Sequence, residues 1–322
     1  MTKKILILHT GGTISMSEDA DGNIKPNDQN PLTAIQLENK GEVELVTEEI
    51  FNVPSPHMTP QRMLELSLRI RRAEAEGFFG AVVTHGTDTL EETAIFLDLT
   101  ISSKMPVVVT GAMRSSNEVG SDGLYNFRTA ITVASSPESV GKGVVVVMND
   151  EIHSARYVTK THTTNVATFR TPTFGPIGIV SEGHVNYVQT IKPQAHEPID
   201  HVVSNVYLVK AYAGMGTELL HALNKPETNG IVIEALGAGN MPPETLPELQ
   251  SLIDHNIPLV LVSRCFNGIA EPVYDYEGGG VNLAKMGIIF CRGLTGPKAR
   301  IKLLVGLSAG LKGEELKKYL NN

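Results

Sequence analysis

The chain has no tryptophan, only two cysteines and 5% aromatic residues in 322 positions. Cys265 and Cys291 are too few and too poorly spaced for a disulfide framework or a cysteine metal cluster. That scarcity leads us to expect a reducing, cytoplasmic setting, or a secreted or periplasmic one if a leader has been removed. Long apolar runs are also missing. No uninterrupted stretch approaches the roughly 20 residues that span a bilayer, so no membrane partner is expected. Met1-Thr2-Lys3-Lys4 places basic residues before Ile5 to Leu8, but that apolar stretch is too short for a signal core and runs straight into Gly11-Gly12. It reads as a first strand. Positive charge is in short supply too: 27 Lys and Arg stand against 35 Asp and Glu, a net charge of -8. An acidic balance argues against nucleic acid and for a small-molecule substrate.

What is present is the pattern of a globular α/β protein. At 322 residues the chain exceeds what one core usually serves, so two domains are expected. Ile5 to His9, Val43 to Val46, Ala81 to Thr84, Val107 to Thr110 and Val144 to Met148 read as strands. They are continuous rather than alternating, as strands buried on both faces of a parallel sheet are. Helices are expected between them: from Thr59-Pro60 to about Glu76, Thr89 to Ser102 and Gly123 to Ala134. Glu151 to Tyr187 suits a β-hairpin or loop, and Thr190 to Ser204, with Pro193 and Pro198, has the composition of a connection. A second alternation runs from Val206 to Leu320. The expected fold is a larger N-terminal doubly wound, mostly parallel sheet domain over 1–190, a linker over 191–205 and a smaller C-terminal α/β domain over 206–322.

The stretch that organises this pattern is Thr84-His85-Gly86-Thr87-Asp88-Thr89, where a strand becomes a helix. Thr89 followed by Glu92 has the spacing of a capping box, which leaves Thr87 and Asp88 in the turn beside unpaired helix amides. Thr and Asp are also common there for capping alone. In open parallel sheets, ligands bind outside the carboxyl ends of strands. Thr10-Gly11-Gly12-Thr13, the hexapeptide, Thr110-Gly111-Ala112 and Val158-Thr159-Lys160-Thr161 all fall at such ends or in the loop region beyond them, so hydroxyls, a carboxylate and a lysine could share one cleft. A threonine hydroxyl needs a base to become a nucleophile. Lys160, once desolvated and oriented by Asp88, can serve. These residues alone do not choose between Thr13 and Thr87.

Competing patterns are weaker. Gly306-Leu307-Ser308-Ala309-Gly310 matches a nucleophile elbow, but it lies inside a helical apolar period and no His follows it. His153, His162, His184, His196 and His201 lack the i, i+4 spacing of a helical zinc motif. Gly278-Gly279-Gly280 and Gly237-Ala238-Gly239-Asn240 lack a full phosphate-loop pattern. No metal and no cofactor is expected.

Thr10-Gly11-Gly12-Thr13-Ile14 and the hexapeptide together resemble the paired signatures of the bacterial-type L-asparaginases (asparaginase/glutaminase family). The likeness extends through Glu91-Glu92-Thr93-Ala94, Thr110 to Arg114, Val147 to Asp150, Val158 to Thr161 and Lys298-Ala299-Arg300. The resemblance implies an amidohydrolase that converts L-asparagine to L-aspartate and ammonia, with lesser glutaminase activity. It implies a homotetramer of tight dimers whose sites lie between subunits. By position it implies Thr13 as nucleophile and Thr87, Lys160 and Asp88 as the supporting triad. Ser55 would hold the substrate α-carboxylate, Asp88 its α-ammonium, and Ala112 would offer a backbone carbonyl. Relatives often carry a Tyr after the first signature; Ser15 to Asn30 has none, which turns attention to Tyr274 and Tyr276. The family's partner-subunit glutamate aligns nearest Gly280, leaving Asn240 and Glu277 as candidate contacts. A non-catalytic amino-acid sensor of the same fold is the alternative.

Overall fold

The structure, a computed structural model, describes residues 2–27, 30–34, 43–102, 104–192 and 194–322. It divides into two compact units, Met1–His196 and Glu197–Asn322. The first contains β1 (Lys3–His9), β2 (Met16–Glu18), β3 (Ile24–Pro26), β4 (Val43–Glu49), α1 (Pro60–Ala75), β5 (Gly80–Thr84), α2 (Leu90–Thr100), β6 (Val107–Thr110), α3 (Gly123–Ser135), β7 (Val144–Met148), β8 (Glu151–Ser154), β9 (Thr159–Lys160), β10 (Phe169–Arg170), β11 (Gly178–Ser181) and β12 (His184–Tyr187).

Eight of these strands form one sheet in the order β12-β11-β8-β7-β6-β5-β1-β4. From β4 to β7 neighbouring strands are parallel; β7, β8, β11 and β12 pair antiparallel. The alternation of side chains explains both faces. Leu6, Leu8, Ala81, Val83, Val107, Val109, Val144 and Val146 join one buried cluster with α1 and α2. Ile5, Ile7, Val82, Val108, Val145 and Val147 join another with α3. A buried branched side chain of this kind stabilises by roughly 1.5–3 kcal/mol, which is why continuous apolar runs are needed here. Chain order reverses at β1: β4 lies on one side, and α1 carries the chain across to β5 on the other.

The Glu151 to Tyr187 region is more regular than expected from its sequence. It supplies three strands to the sheet through two hairpins, with Asn149 (φ 52°) and Asp150 (φ 63°) in the first turn and Glu182 (φ 48°) and Gly183 (φ 76°) in the second. Paired left-handed residues make tight turns whose twist matches the strands. The connection after Tyr187 is also docked rather than loose: Gln194 Nε2 donates to Asp98 Oδ2 at 2.6 Å and His196 Nδ1 lies 2.8 Å from the Asp98 carbonyl. Pro193 lies outside the described residues.

The second unit contains β13 (Val206–Lys210), α4 (Glu218–Leu223), β14 (Gly230–Ala235), α5 (Leu246–Asp254), β15 (Leu259–Ser263), α6 (Gly280–Lys285), β16 (Ile289–Phe290), α7 (Gly296–Ser308) and α8 (Gly313–Asn321). Its four strands form a parallel sheet in sequential order. The short α6 has no counterpart in the sequence reading, because Gly278-Gly279-Gly280 masks its start. Gly306 and Ser308 lie within α7, and Ser308 Oγ donates back to the Leu304 carbonyl, so the elbow-like pentapeptide is helix packing. Among the described residues no helix is long and apolar enough to cross a membrane.

Candidate active site

The chain reversal at β1 places a crevice outside the carboxyl ends of β1 and β5, the usual ligand position in such sheets. Glycines let the surrounding loops meet there. Gly11 and Gly12 have φ of 96° and 85°. A β-carbon on Gly11 would collide with the Val53 backbone, and one on Gly12 with the Gly86 Cα. On Gly86 it would lie 2.7 Å from Ser55 Cβ, and on Gly111 2.5 Å from the His85 carbonyl and 3.3 Å from Thr87 Cγ2. Backbones this close require residues without side chains. The loops carrying Thr13, Ser55, Thr87, Asp88 and Ala112 therefore converge.

Hydrogen bonds fix the turn after β5. Lys160, on the short β9–β10 ribbon, donates from Nζ to Thr87 Oγ1 at 2.9 Å and to Asp88 Oδ1 at 2.7 Å. Ser55 Oγ accepts from the Asp88 amide at 3.1 Å, and the Ser55 carbonyl accepts from Thr89 Oγ1 at 2.8 Å. This corrects the capping-box expectation. Thr89 is the N-cap of α2, but its side chain makes no capping bond, because the hydroxyl is committed across the crevice to Ser55. The result ties the Ser55 loop to the turn that carries Asp88 into α2.

His85 is a residue whose part sequence reasoning did not identify. It is fully buried, with Nδ1 2.7 Å from the Gly86 carbonyl and Nε2 2.9 Å from Thr93 Oγ1. A carbonyl can only accept, so Nδ1 carries the proton and Nε2 accepts from the Thr93 hydroxyl. Burial lowers its pKa to about 4, which keeps this neutral tautomer in place. His9, behind the β1 turn, is likewise lowered to about 4 by burial. The signal available in the sequence was a histidine between an apolar strand and Gly-Thr-Asp.

Exposure separates these three residues. Thr87 is buried, the Lys160 side chain is 16% exposed and the Asp88 carboxylate is 58% exposed. An ion pair open to water on one side adds little stability; its effect is to orient Lys160, with the Asp88 carboxylate still largely exposed. Thr13 opens a three-residue turn, Thr13–Ser15, closed by the Ser15 amide and Oγ on the Gly12 carbonyl at 2.9 and 3.0 Å. Ala112 is buried at the carboxyl end of β6.

The remaining candidates belong to the second unit. Asn240 Oδ1 accepts from the Gly280 amide at 3.1 Å and so holds the start of α6. Glu277 is exposed on the turn before it. Tyr274 and Tyr276 are half exposed, with ring centroids 5.9 Å apart. Among the described residues no group of three or more His, Cys, Asp or Glu could hold a metal ion. His153 is buried against Thr171.

A doubly wound sheet that gathers hydroxyls, a lysine and a carboxylate at its chain reversal has the equipment of a small-molecule hydrolase working through a hydroxyl nucleophile. Comparison with known proteins gives the family. Residues 4–193 match the family model described as Asparaginase, N-terminal, and residues 205–320 match the Glutaminase/Asparaginase C-terminal domain. The chain is 39% identical to a probable L-asparaginase of Deinococcus radiodurans, covering 98% of this chain and 96% of that protein. It is 36% identical to an L-asparaginase of Bacillus licheniformis, covering 97% and 98%. The crystal structure of a probable cytoplasmic L-asparaginase from Campylobacter jejuni superposes with a TM-score of 0.87 at 33% identity, covering 99% of each chain. The chain belongs to the asparaginase family.

Proposed function

We propose that this protein hydrolyses L-asparagine to L-aspartate and ammonia, with a minor activity on L-glutamine. The observation that carries the reading is Lys160 Nζ bridging Thr87 Oγ1 and Asp88 Oδ1 beside the glycine-packed turn of Thr13. Thr13 Oγ attacks the side-chain amide carbon, and its proton passes by way of the Thr87–Lys160–Asp88 group to the departing ammonia. Water then hydrolyses the ester on Thr13 and returns the proton. Backbone amides at the glycine turns stabilise the oxyanion formed in each step. Ser55 and the Asp88 amide region receive the α-carboxylate, Asp88 the α-ammonium, and the Ala112 carbonyl the amide hydrogens.

The working form in this reading is a cytoplasmic homotetramer built from tight dimers, in which Asn240, Glu277 and the Tyr274 or Tyr276 phenol complete a neighbouring subunit's site. It needs no metal and no cofactor. Light scattering of the purified protein tests the assembly, with a monomer refuting it. The deciding experiment is ammonia and aspartate release from L-Asn, D-Asn, L-Gln and β-aspartyl dipeptides by folded protein. Release from L-Asn above the others is the expected result, and binding without release would overturn it.

A further inference from the structure

The chain leaving Thr13 is held by a second loop, and the contact is specific. Between β6 and α3, the loop 111–122 is shaped by Asp122, whose carboxylate accepts from the amides of Met113 and Arg114 at 3.0–3.1 Å. It is braced by Arg114 Nη1 on the Gly120 carbonyl and by the Ser115 amide on Glu118. The same loop grips β2. The Ser116 amide and Oγ both donate to the Met16 carbonyl at 2.9 Å, and Ser17 Oγ lies 2.9 Å from Ser116 Oγ. Asn117 meets Glu18 twice: its Nδ2 donates to the Glu18 carbonyl at 2.8 Å, and its Oδ1 accepts from the Glu18 amide at 2.8 Å. One side-chain amide thus satisfies both main-chain groups of one residue, as a neighbouring strand would.

We infer that Asn117, with Ser116, is a positioning residue for Thr13. The reasoning follows the chain on either side of the threonine. Upstream, Thr10 is fixed to the Thr84 carbonyl through its amide and its hydroxyl. Between Thr10 and Thr13 stand Gly11 and Gly12, both at positive φ, whose backbones pack against Val53 and Gly86 and so fix where the turn lies. Within that frame, how Thr13 is turned depends also on the chain that follows it. There Ile14 is buried close to Gly123 and Ala112, Ser15 is tied back to the Gly12 carbonyl and accepts from Asn27 Nδ2 on its own carbonyl, and beyond it Ser116 and Asn117 grip Met16 to Glu18. One loop thereby carries Ala112 on its first turn and aligns the hairpin after Thr13 on its second, so the two parts of the site move together. Ser116 and Asn117 are exposed, so water competes for these bonds.

This rests on the function proposed above, and the test separates the two. Asn117→Leu keeps the size of the side chain and removes both bonds to Glu18. It is expected to lower kcat for L-Asn about fivefold with KM within about twofold, and to leave Tm unchanged, because misplacing a reacting group slows chemistry without removing the substrate contacts. Amide exchange and proteolysis in residues 16–26 should quicken. Glu18→Ala retains the main-chain groups and should match the wild type, whereas Glu18→Pro removes the amide donor and should reproduce Asn117→Leu without adding to it. A wild-type rate in Asn117→Leu, or unchanged exchange in the hairpin, overturns the role of Asn117. A kcat loss that merely follows a fall in Tm also overturns it. Wild-type protein that releases no ammonia overturns instead the function on which the inference rests, and the hairpin exchange still reports on the contact.

Discussion

The turns after β1 and β5 face the same crevice and are built in opposite ways. After β5, Gly86 to Thr89 is tied by His85, Ser55 and Lys160 and passes directly into α2, where nine of the 11 residues are buried. After β1, two left-handed glycines lead to a three-residue turn and a short hairpin whose clearest outside anchors are exposed. The difference teaches how such a site divides its tasks. The side proposed to hold a charged substrate is preorganised by burial, and the side proposed to deliver the nucleophile keeps freedom to adjust.

The largest test of this contrast removes its chemistry. Thr13→Ala and Lys160→Met are each expected to lower kcat by about a thousandfold in folded protein, with a smaller loss of substrate affinity in Lys160→Met. A near wild-type rate in either would break the division. Gly12→Ala comes next. The β-carbon would collide with Gly86 at a φ that alanine avoids, so we expect at least about 2 kcal/mol of destabilisation by denaturant titration, together with loss of most activity.

Two of the buried histidines, His9 and His85, lie one behind each turn and sharpen the contrast. Replacing His85 with Leu frees the Gly86 carbonyl and Thr93, and should lower both stability and kcat, while His9→Leu should affect stability more than rate. Both have folded values of about 4 against 6.5 when unfolded, so the unfolded chain takes up protons first. Their stabilising contribution is complete above about pH 6.5 and is lost as the pH falls toward 4, at roughly 3 kcal/mol for each. Melting curves between pH 7 and 4 should show this decline, and it should be shallower in either variant.

The smallest effect concerns Asp98, far along α2 from the turn. Burial raises its pKa, so the ionised form is the costly one and stability is lost as the pH rises through the folded value. Asp98→Asn can keep the Val144 amide as donor to its oxygen and turn its amide toward Gln194 Oε1. At pH 7 its Tm should equal or slightly exceed that of the wild type, with a smaller difference at pH 5. A marked fall would show that the ionised carboxylate is needed to hold the connection.

Much of the fold was legible because burial on both faces of a parallel sheet demands a recognisable text. β6 and β7 occupy the ranges read from their valine runs, and α1 has Thr59 as a true N-cap accepting from the Arg62 amide. The hairpins around Asn149-Asp150 and Glu182-Gly183 were less legible, since Asp150 stands where the strongest two-residue turn signal has Gly and Glu182 where it has Asn or Asp. At the site, the residue types were readable from strand ends, but their grouping was not. Thr89 and Glu92 had the spacing of a capping box, and the hydroxyl went to Ser55 instead because a partner 34 residues away offered a carbonyl at better reach.

By itself the sequence determined where buried strands and helices lie, that glycine must stand at the turns after β1 and β5, and which reactive side chains sit at strand ends. Those are consequences of local periodicity and local backbone freedom. Only the tertiary structure decided that β1 lies between β4 and β5, that Lys160 crosses 73 positions to reach Thr87, and that Asn117 aligns with Glu18. Such pairings follow from strand order and packing, in which residues far apart in the chain compete for the same neighbour, and no local pattern records the winner.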